Sequence, residues 1–333
     1  MSEITTHERP GVYSSYEASA LTVAAAGGGT VAVVAKSGKT GGPYSWTSHS
    51  RAVADVGSCA LSELTRLALK NGAGLVIGVP AGEDYAAAFN TVSGLEGVTI
   101  VVCDSTELAV QQALRDMVEQ CAAVRKERIA VVGGAANETV AQLTERAAGL
   151  NSERVVLVAP CAAGGDGTAC AAAVAGAIAG NTDPALPLGG AELQGLSGLS
   201  TVYEDGDIDL LVRGGVTPLE MLSGSGYVVR GITTRTTSGG AEDTTWRELS
   251  TILVVDEVIP GIRTALRARF NRVKNTEQTR GAIRSQVLLE LENRVGREII
   301  NSYDDVTVTP SENDPTVCLV EFSFSVTHGL NQI

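Results

Sequence analysis

Between residues 21 and 182, short runs of apolar and β-branched residues alternate with longer stretches of helical character. Runs that are apolar throughout are typical of strands in a parallel sheet covered by helices on both faces. The candidate strands are Thr30–Ala35, Leu75–Val79, Val98–Cys103, Ile129–Val132 and Arg154–Ala159. The candidate helices lie near Leu61–Asn71, Asp84–Val92, Thr106–Arg125, Glu138–Leu150 and Ala169–Ala179. This alternation predicts the α/β class, with a doubly wound, mostly parallel sheet.

The composition of the 333 residues fits layered packing and argues against several functions. Hydrophobic residues make up 44% of the chain but aromatic residues only 4%, so Ala, Val, Leu and Ile fill the core. A net charge of −13 argues against a dedicated nucleic-acid binder. The six cysteines form no CxxC pair, which favours reduced thiols over disulfides or a metal site. Without a signal peptide or a bilayer-length apolar tract, we expect a soluble chain made in the cytoplasm, with no membrane partner and no cofactor.

The chain is predicted to have four regions. Pro10-Gly11 prevents a continuous helix near the N-terminus, so this segment is expected to be an extended arm. Its few apolar residues, among them Val12, Tyr13 and Tyr16, cannot form a core alone and must pack on another surface. A stretch rich in Pro, Gly and Ser over 181–205 is interpreted as a crossing between domains. The predicted regions are an arm over 1–20, an α/β middle domain over 21–205, an α+β C-terminal domain over 206–315 and a terminal strand or arm over 316–333.

The pattern changes beyond residue 205. Strands are predicted at Ile208–Arg213, Tyr227–Thr234, Asp305–Thr309 and Thr316–Thr327, and helices at Trp246–Val273 and Glu277–Val295. A turn is predicted at Thr217-Pro218, and Pro260 is expected to open the second half of the first helix. Asn275-Thr276 offers an N-cap for the second helix. The last strand has the alternation of a half-buried strand, with apolar Val320, Phe322, Phe324 and Val326.

Patterns that resemble catalytic motifs are incomplete. Lys36-Ser37-Gly38-Lys39-Thr40 follows a strand as a phosphate-binding loop does, but Val33 replaces the first glycine of that motif. Gly41-Gly42-Pro43 then cannot open the helix whose N-terminus faces the phosphate. The run Ser223-Gly224-Ser225-Gly226 lacks the first glycine of a nucleophile elbow.

Histidines and acidic residues do not form a convincing constellation either. The three histidines, two of them in the predicted arms, are His7, His49 and His328. The acidic candidates near strand ends, interpreted as turn formers and caps, are Asp104, Asp166, Asp205, Asp207 and Asp209. We therefore predict that the chain is not an enzyme. A soluble α/β enzyme with an unrecognised active site is the main alternative. A binding protein whose sequence carries few recognisable motifs is another.

One segment is basic against the acidic background. Between Ile259 and Ser285, seven basic residues are opposed by one acidic residue, which gives this segment a charge of +6 and the remainder −19. The predicted helix carries an apolar stripe that consists of Ile259, Ile262, Leu266, Phe270 and Val273. Basic residues lie on an adjacent stripe, and the candidate binding residues are Arg263, Arg267, Arg269, Arg272 and Lys274. A solvated basic face is one interpretation; the segregation of charge and the excess of arginine favour an acidic protein partner.

Several stretches, in order along nearly the whole chain, resemble the tail sheath proteins of contractile bacteriophages and phage-tail-like bacteriocins. These stretches are Arg9–Tyr13, Thr182–Leu188, Arg213–Glu220, Val228–Thr234, the junction from Arg269-Phe270 to Asn275-Thr276, and the closing strands. Each motif is weak alone, but the ordered set is specific.

The resemblance implies a structural subunit that polymerises as stacked hexameric rings around a tail tube and contracts to drive the tube through a cell envelope. It implies that an inner helix, here with Arg263, Arg267, Arg269, Arg272 and Lys274, holds the tube. It also implies that both ends are donated to neighbouring subunits, here through Val12, Tyr13, Tyr16, Val320, Phe322, Phe324 and Val326. The implied partners are other copies of the chain, the tail tube, the baseplate and the tail terminator. The implied location is a virion tail or phage-tail-like particle.

Overall fold

The structure is a computed structural model that describes residues 29–39 and 41–330. These residues form two compact units. The larger unit comprises residues 29–39, 41–182, 187–249 and 330, and the smaller unit comprises residues 183–186 and 250–329. Residues 206–249, predicted as part of the C-terminal domain, lie in the larger unit because two of their strands extend its sheet. The predicted arm over residues 1–20 falls outside the described residues.

The larger unit alternates strands and helices over most of its length. Its strands are β1 Thr30–Lys36, β2 Tyr44–Trp46, β3 Leu75–Ala81, β4 Val98–Cys103, β5 Ile129–Gly133, β6 Val155–Ala159, β7 Glu192–Leu193, β8 Val216–Leu222, β9 Ser225–Val228, β10 Thr237–Ser238 and β11 Ala241–Glu242. Its helices are α1 His49–Val56, α2 Ala60–Lys70, α3 Tyr85–Gly94, α4 Leu108–Ala123, α5 Val140–Leu150, α6 Thr168–Gly180 and α7 Asp205–Arg213. The sequence pattern missed α1 and β2 but predicted the other elements up to α6.

Nine of these strands form one sheet in the order β2-β3-β1-β4-β5-β6-β8-β9-β7. The central strands from β3 to β8 are parallel, whereas β2, β9 and β7 run antiparallel to their neighbours. The first strand, β1, lies inside the sheet, with β3 on one side and β4 on the other. This topology confirms the predicted doubly wound, mostly parallel sheet.

The helices form two groups, as a sheet covered on both faces requires. Helix α2 packs against α1 and α6, whereas α3, α4, α5 and α7 pack in succession. Helix α6 is almost entirely buried, because its alanines and glycines let it lie close to α2. A Cβ at Gly176 would overlap the carbonyl oxygen of Ala68. Small residues therefore set the helix spacing here.

Three predictions between residues 206 and 234 are wrong. Ile208–Arg213 belongs to helix α7, since Glu204 and Asp207 form a capping box that starts a helix there. Thr217-Pro218 lies within β8, where Pro218 occupies the last register pair with β6 and the missing N–H is tolerated. The strand predicted over Tyr227–Thr234 ends at Val228.

The smaller unit packs two long helices against four short strands. The helices are α8 Leu249–Arg269, whose first residue lies in the larger unit, and α9 Glu277–Gly296. The strands are β12 Ile300–Tyr303, β13 Thr307–Pro310, β14 Cys318–Glu321 and β15 Phe324–Val326. The core takes one residue per turn from α8, together with residues of α9 and the strands. It contains Ala185, Val254, Val258, Ile262, Leu266, Val287, Leu291, Ile299, Ile300, Val306 and Val326.

Helix α8 differs from its prediction at two points. Pro260 lies inside a continuous helix instead of opening a second one. A proline in a helix interior costs roughly 3 kcal/mol, and the buried residues on both sides of it offset that cost by packing into the core. The helix ends at Arg269, four residues before the predicted Val273. The predicted N-cap of α9 is confirmed, because Thr276 accepts a hydrogen bond from the N–H of Thr279.

The C-terminal strand is divided in two. β14 pairs with β13 and β15 pairs with β12, each pair antiparallel. The change of partner occurs at Ser323, whose carbonyl accepts from the N–H of Asp304 at 2.9 Å and whose hydroxyl donates to the Asp304 carboxylate at 2.8 Å. Strand β12 was not predicted. None of the helices in the described part of the chain combines the length and hydrophobicity needed to cross a bilayer.

Candidate functional site

The last turn of α8 and the loop to α9 carry a cluster of positive charge, which we call the basic end. It consists of Arg267, Arg269, Arg272 and Lys274, all exposed. Arg263, also predicted to bind a partner, lies further inside the helix and is half-buried. Cations are favoured at a helix C-terminus because the last carbonyls carry partial negative charge. Helix α8 therefore ends on a surface that suits an acidic partner.

The predicted basic residues are not equivalent. Arg269 Nη1 donates to Gln286 Oε1 of α9. Arg280 donates to Asn275 at 3.0 Å, and Arg284 donates to the carbonyl of Val306 at 2.7 Å and to Asp305 at 2.9 Å. Within the described residues, the side chains of Arg267, Arg272 and Lys274 make no hydrogen bond or ion pair.

The loop that carries Arg272 and Lys274 has a defined geometry. Arg272 has φ 58°, the left-handed region, which turns the chain sharply after α8. Asn275 Nδ2 donates to the carbonyl oxygens of Pro315 at 2.8 Å and Val317 at 3.3 Å. The loop is thereby fixed to the segment that precedes β14.

The predicted apolar stripe of α8 is only partly correct. Ile259, Ile262 and Leu266 are buried, and Phe270 is half-buried against the core. Val273 is 51% exposed, because the helix has already ended and the chain has turned away. Lys274 also follows the end of the helix, so it is not on the predicted helical stripe with Arg263 and Arg267.

The strand edges of the smaller unit are the second candidate surface. Val320, Phe322, Phe324 and Val326 pack against the core of their own chain, and Val326 is 1% exposed. β12 and β15 form one two-stranded sheet and β13 and β14 another. Among the described residues, each of these strands therefore has one unpaired edge. The other predicted arm residues, Val12, Tyr13 and Tyr16, lie outside the described residues.

Family models match most of the chain. The model of the phage tail sheath central domain matches residues 78–234, and that of the phage tail sheath C-terminal domain matches residues 241–333. The chain belongs to the phage tail sheath family.

Individual relatives agree with this assignment. The tail sheath protein of Bacillus phage SP01 is 29% identical to the sheath-family chain over 245 residues, which cover 70% of the chain and 42% of the relative. The chain thus spans less than half the length of this curated relative.

Solved structures share the fold at low sequence identity. The helical sheath of the anti-feeding prophage in its contracted state has a TM-score of 0.73 and 15% identity, with 98% of each chain covered. The sheath tail protein of Desulfitobacterium hafniense has a TM-score of 0.71 and 13% identity, covering 96% of this chain and 97% of that one. That of Listeria innocua has a TM-score of 0.72 and 12% identity, covering 91% and 93%.

In the larger unit, the segments that resemble catalytic motifs and the acidic candidates near strand ends have structural roles. Strand β2, and not a helix, is the element that follows the loop after Lys39. Asp104 accepts from the backbone N–H of Lys36 at 2.7 Å and from the Tyr85 hydroxyl at 2.6 Å. Burial, followed by this carboxylate, raises the pKa of Tyr85. Asp166 accepts from the N–H and hydroxyl of Thr168 at 3.0 and 2.6 Å. Asp166 thus forms a local turn as predicted, whereas Asp104 joins residues of other elements.

The cysteines are free, and most are buried. Burial raises the pKa of Cys170 to about 12 and that of Cys161 to about 11. Both thiols stay protonated near neutral pH and are poor nucleophiles. Within the described ranges, His, Cys, Asp and Glu side chains form no cluster of three or more that could hold a metal ion.

Proposed function

We propose that this chain is the structural subunit of a contractile tail sheath, whose copies polymerise as stacked hexameric rings around a tail tube. The observation that carries the proposal is the pair of two-stranded sheets in the smaller unit, β12 with β15 and β13 with β14. Two-stranded ribbons are marginal alone, and their unpaired edges can accept strands from another chain. A contact between different surfaces of identical copies generates an open helical array.

The N-terminal arm would supply the donated strand. Its residues Val12, Tyr13 and Tyr16 have too few apolar neighbours in sequence to form a core, and an edge of the smaller unit of a neighbour offers both hydrogen bonds and apolar surface. On the receiving side, Val320, Phe322, Phe324 and Val326 hold their strands on the core and leave the backbone edges for the arm. Such contacts can persist while subunits rotate during contraction.

The basic end would hold the tube. Arg267, Arg272 and Lys274 are exposed and carry no ion pair in the described part of the chain, so an acidic tube surface can engage them without breaking internal contacts. Arg263 and Arg269 add positive charge close to them in sequence. Contraction would drive the tube through a cell envelope, with the extended array as a kinetically trapped state that needs no nucleotide.

The proposal also includes the class of protein, its location and its partners. The chain acts as a structural protein and not as an enzyme, in a virion tail or phage-tail-like particle assembled in the host cytoplasm. Baseplate and tail terminator proteins are its partners at the two ends of the sheath. It uses no cofactor, nucleic acid or membrane.

Deletion of residues 1–16 tests the proposal. Negative-stain microscopy of the full chain is expected to show tubes or stacked rings, whereas the deletion variant should remain folded and form no long sheaths. Circular dichroism is the folding control. Sheaths of normal length from the deletion variant would refute the donated arm, and uniform small particles from the full chain would favour an enzyme or a binding protein.

A further inference from the structure

A chain of partly buried polar contacts links α8 to α9 in the smaller unit. Gln286 accepts from Arg269 of α8 and donates its own amide to Glu290 at 2.9 Å. The carboxylate and the backbone carbonyl of Glu290 each accept a hydrogen bond from Arg294 Nη1 at 2.8 Å. Gln286 and Arg294 are 8% and 6% exposed. We call this chain the polar seam.

The other end of the seam returns to α8. Arg294 Nη2 lies 3.8 Å from the carboxylate of Glu257, which also lies 3.9 Å from Arg297. Gly261, one turn further along α8, leaves the space that the guanidinium of Arg294 occupies. A Cβ at position 261 would overlap Arg294 Nη2. The seam thus contacts α8 at three points, Glu257, Gly261 and Arg269.

These contacts are satisfied in one register only. An apolar helix face can slide by a turn and still bury similar area, but a buried guanidinium without its carboxylates carries a large desolvation penalty. A slide of α8 would separate Arg294 from Glu257 and place a side chain where Gly261 leaves room. Fixing register is the best-attested role of buried polar groups between helices.

We propose that the polar seam sets the register of α8 on α9 and thereby positions the basic end, with Arg269 as a positioning residue rather than a tube contact. The role of the basic end in binding a tube rests on the proposed function. The register of α8 on α9 does not depend on it. The direct tube contacts are then Arg267, Arg272 and Lys274. The sequence gives one signal for the seam, the spacing of Glu290 and Arg294 by four residues on α9.

A pair of substitutions tests the register without any tube. Alanine is the better helix former, so Gly261→Ala alone would strengthen α8 if only propensity mattered. With Arg294 present, we expect Gly261→Ala to reduce the hydrogen-exchange protection of α8 and α9 several-fold. In an Arg294→Met background, the same change should increase protection. If Gly261→Ala changes hydrogen-exchange protection in the same direction in both backgrounds, the proposed role of the polar seam is wrong.

A second set of variants tests the positioning role in full-length subunits, with preformed tubes of the particle's own tail tube protein as the probe. Gln286→Met changes no charge, yet it releases Arg269. We expect it to weaken co-sedimentation with tubes several-fold while leaving the salt dependence of binding as in the unmodified chain. Arg267→Gln should make binding less sensitive to salt and leave helix protection unchanged. Unaltered tube binding by Gln286→Met, beside weakened binding by Arg267→Gln, would overturn the positioning role.

Two further outcomes are decisive. If Arg269→Gln reduces salt sensitivity as Arg267→Gln does and leaves helix protection intact, Arg269 touches the tube and the proposal fails. If none of these variants changes tube binding while the Gly261 and Arg294 pair shows the expected change of sign, the register role stands. In that case the proposed tube-binding function fails instead.

Discussion

Arginine residues in this chain have different roles that follow from burial and partners rather than from charge. Arg267 and Arg272 are exposed, whereas Arg128 is 1% exposed in the larger unit. Arg128 donates to the carbonyl oxygens of Val92 at 2.8 Å and Leu95 at 2.9 Å, at the end of α3. Burial lowers the pKa of its guanidinium, and the two carbonyls accept hydrogen bonds from its terminal nitrogens. Arg128 thereby closes the C-terminus of α3.

Truncation of Arg128 is expected to destabilise the larger unit. Arg128→Ala removes a side-chain donor from both carbonyls and opens a cavity, which should cost about 3 kcal/mol in the free energy of unfolding. Both tryptophans, Trp46 and Trp246, lie in the larger unit, so urea unfolding followed by tryptophan fluorescence measures this quantity. The control is Arg51→Ala, which removes the ion pair of an exposed arginine with Asp55 and should destabilise the unit much less. Equal losses from both variants would contradict this role.

Charge reversal at the basic end should release the tube without unfolding the subunit. Each exposed pair contributes roughly 0.2–1 kcal/mol, but repetition around every ring makes the sum large. We expect Arg267→Glu with Arg272→Glu to abolish co-sedimentation with preformed tubes. High salt should weaken the unmodified contact, since the Debye length falls to about 3 Å at 1 M. The matched control is Arg213→Glu, an exposed charge on the larger unit. Full binding by the double variant would mean that the basic end is only solvated.

The elements that were predicted well are those whose local pattern and tertiary environment agree. The parallel strands β1, β3, β4, β5 and β6 are largely apolar, and burial on both faces of a parallel sheet requires that pattern. Helix α7 was missed because Ile208, Leu211 and Val212 suit a strand as well as a short helix, and only the cap at Glu204 decides between them. Pro260 was misplaced because packing on both sides of it outweighs a local rule.

The candidate site was predictable only in part for a related reason. A run of basic residues is visible in the sequence, and four of the five candidate binding residues are exposed in the basic end. Which cations are already bound internally depends on residues from other elements, such as Gln286 for Arg269 and Asp305 for Arg284. Sequence spacing carries little information about such pairs, since helix packing and strand pairing create them.

The two C-terminal strands should be needed for the smaller unit to fold. The sequence predicts a terminal strand or arm in this region, and in the structure Phe324 and Val326 pack in the core of the smaller unit while β15 pairs with β12. Deletion from Phe322 onward is therefore expected to abolish the hydrogen-exchange protection of α8 and α9. Deletion of residues 328–333 is the control and should leave it unchanged. Persistent protection after the longer deletion would show that β15 is dispensable.

At the scale of the whole molecule, the two units differ in how completely their strands are paired and covered within the described residues. The larger unit has one extensive sheet with helices on both faces, a complete α/β architecture. The smaller unit has two-stranded sheets with unpaired edges in the described residues and a basic end in a chain of net charge −13. These are the features expected of a subunit completed by its neighbours and by an acidic tube. Membership of the phage tail sheath family agrees with them.

The most direct test of this account is a helical reconstruction by electron cryomicroscopy of the purified full-length chain after assembly with tubes. The account predicts six-fold rings stacked around the tube, with an added strand on at least one edge of the β12–β15 or β13–β14 sheet. It also predicts that Arg267, Arg272 and Lys274 face acidic residues of the tube. Discrete particles that never form rings, or rings in which both sheets keep two strands and the basic end faces away from the tube, would contradict it.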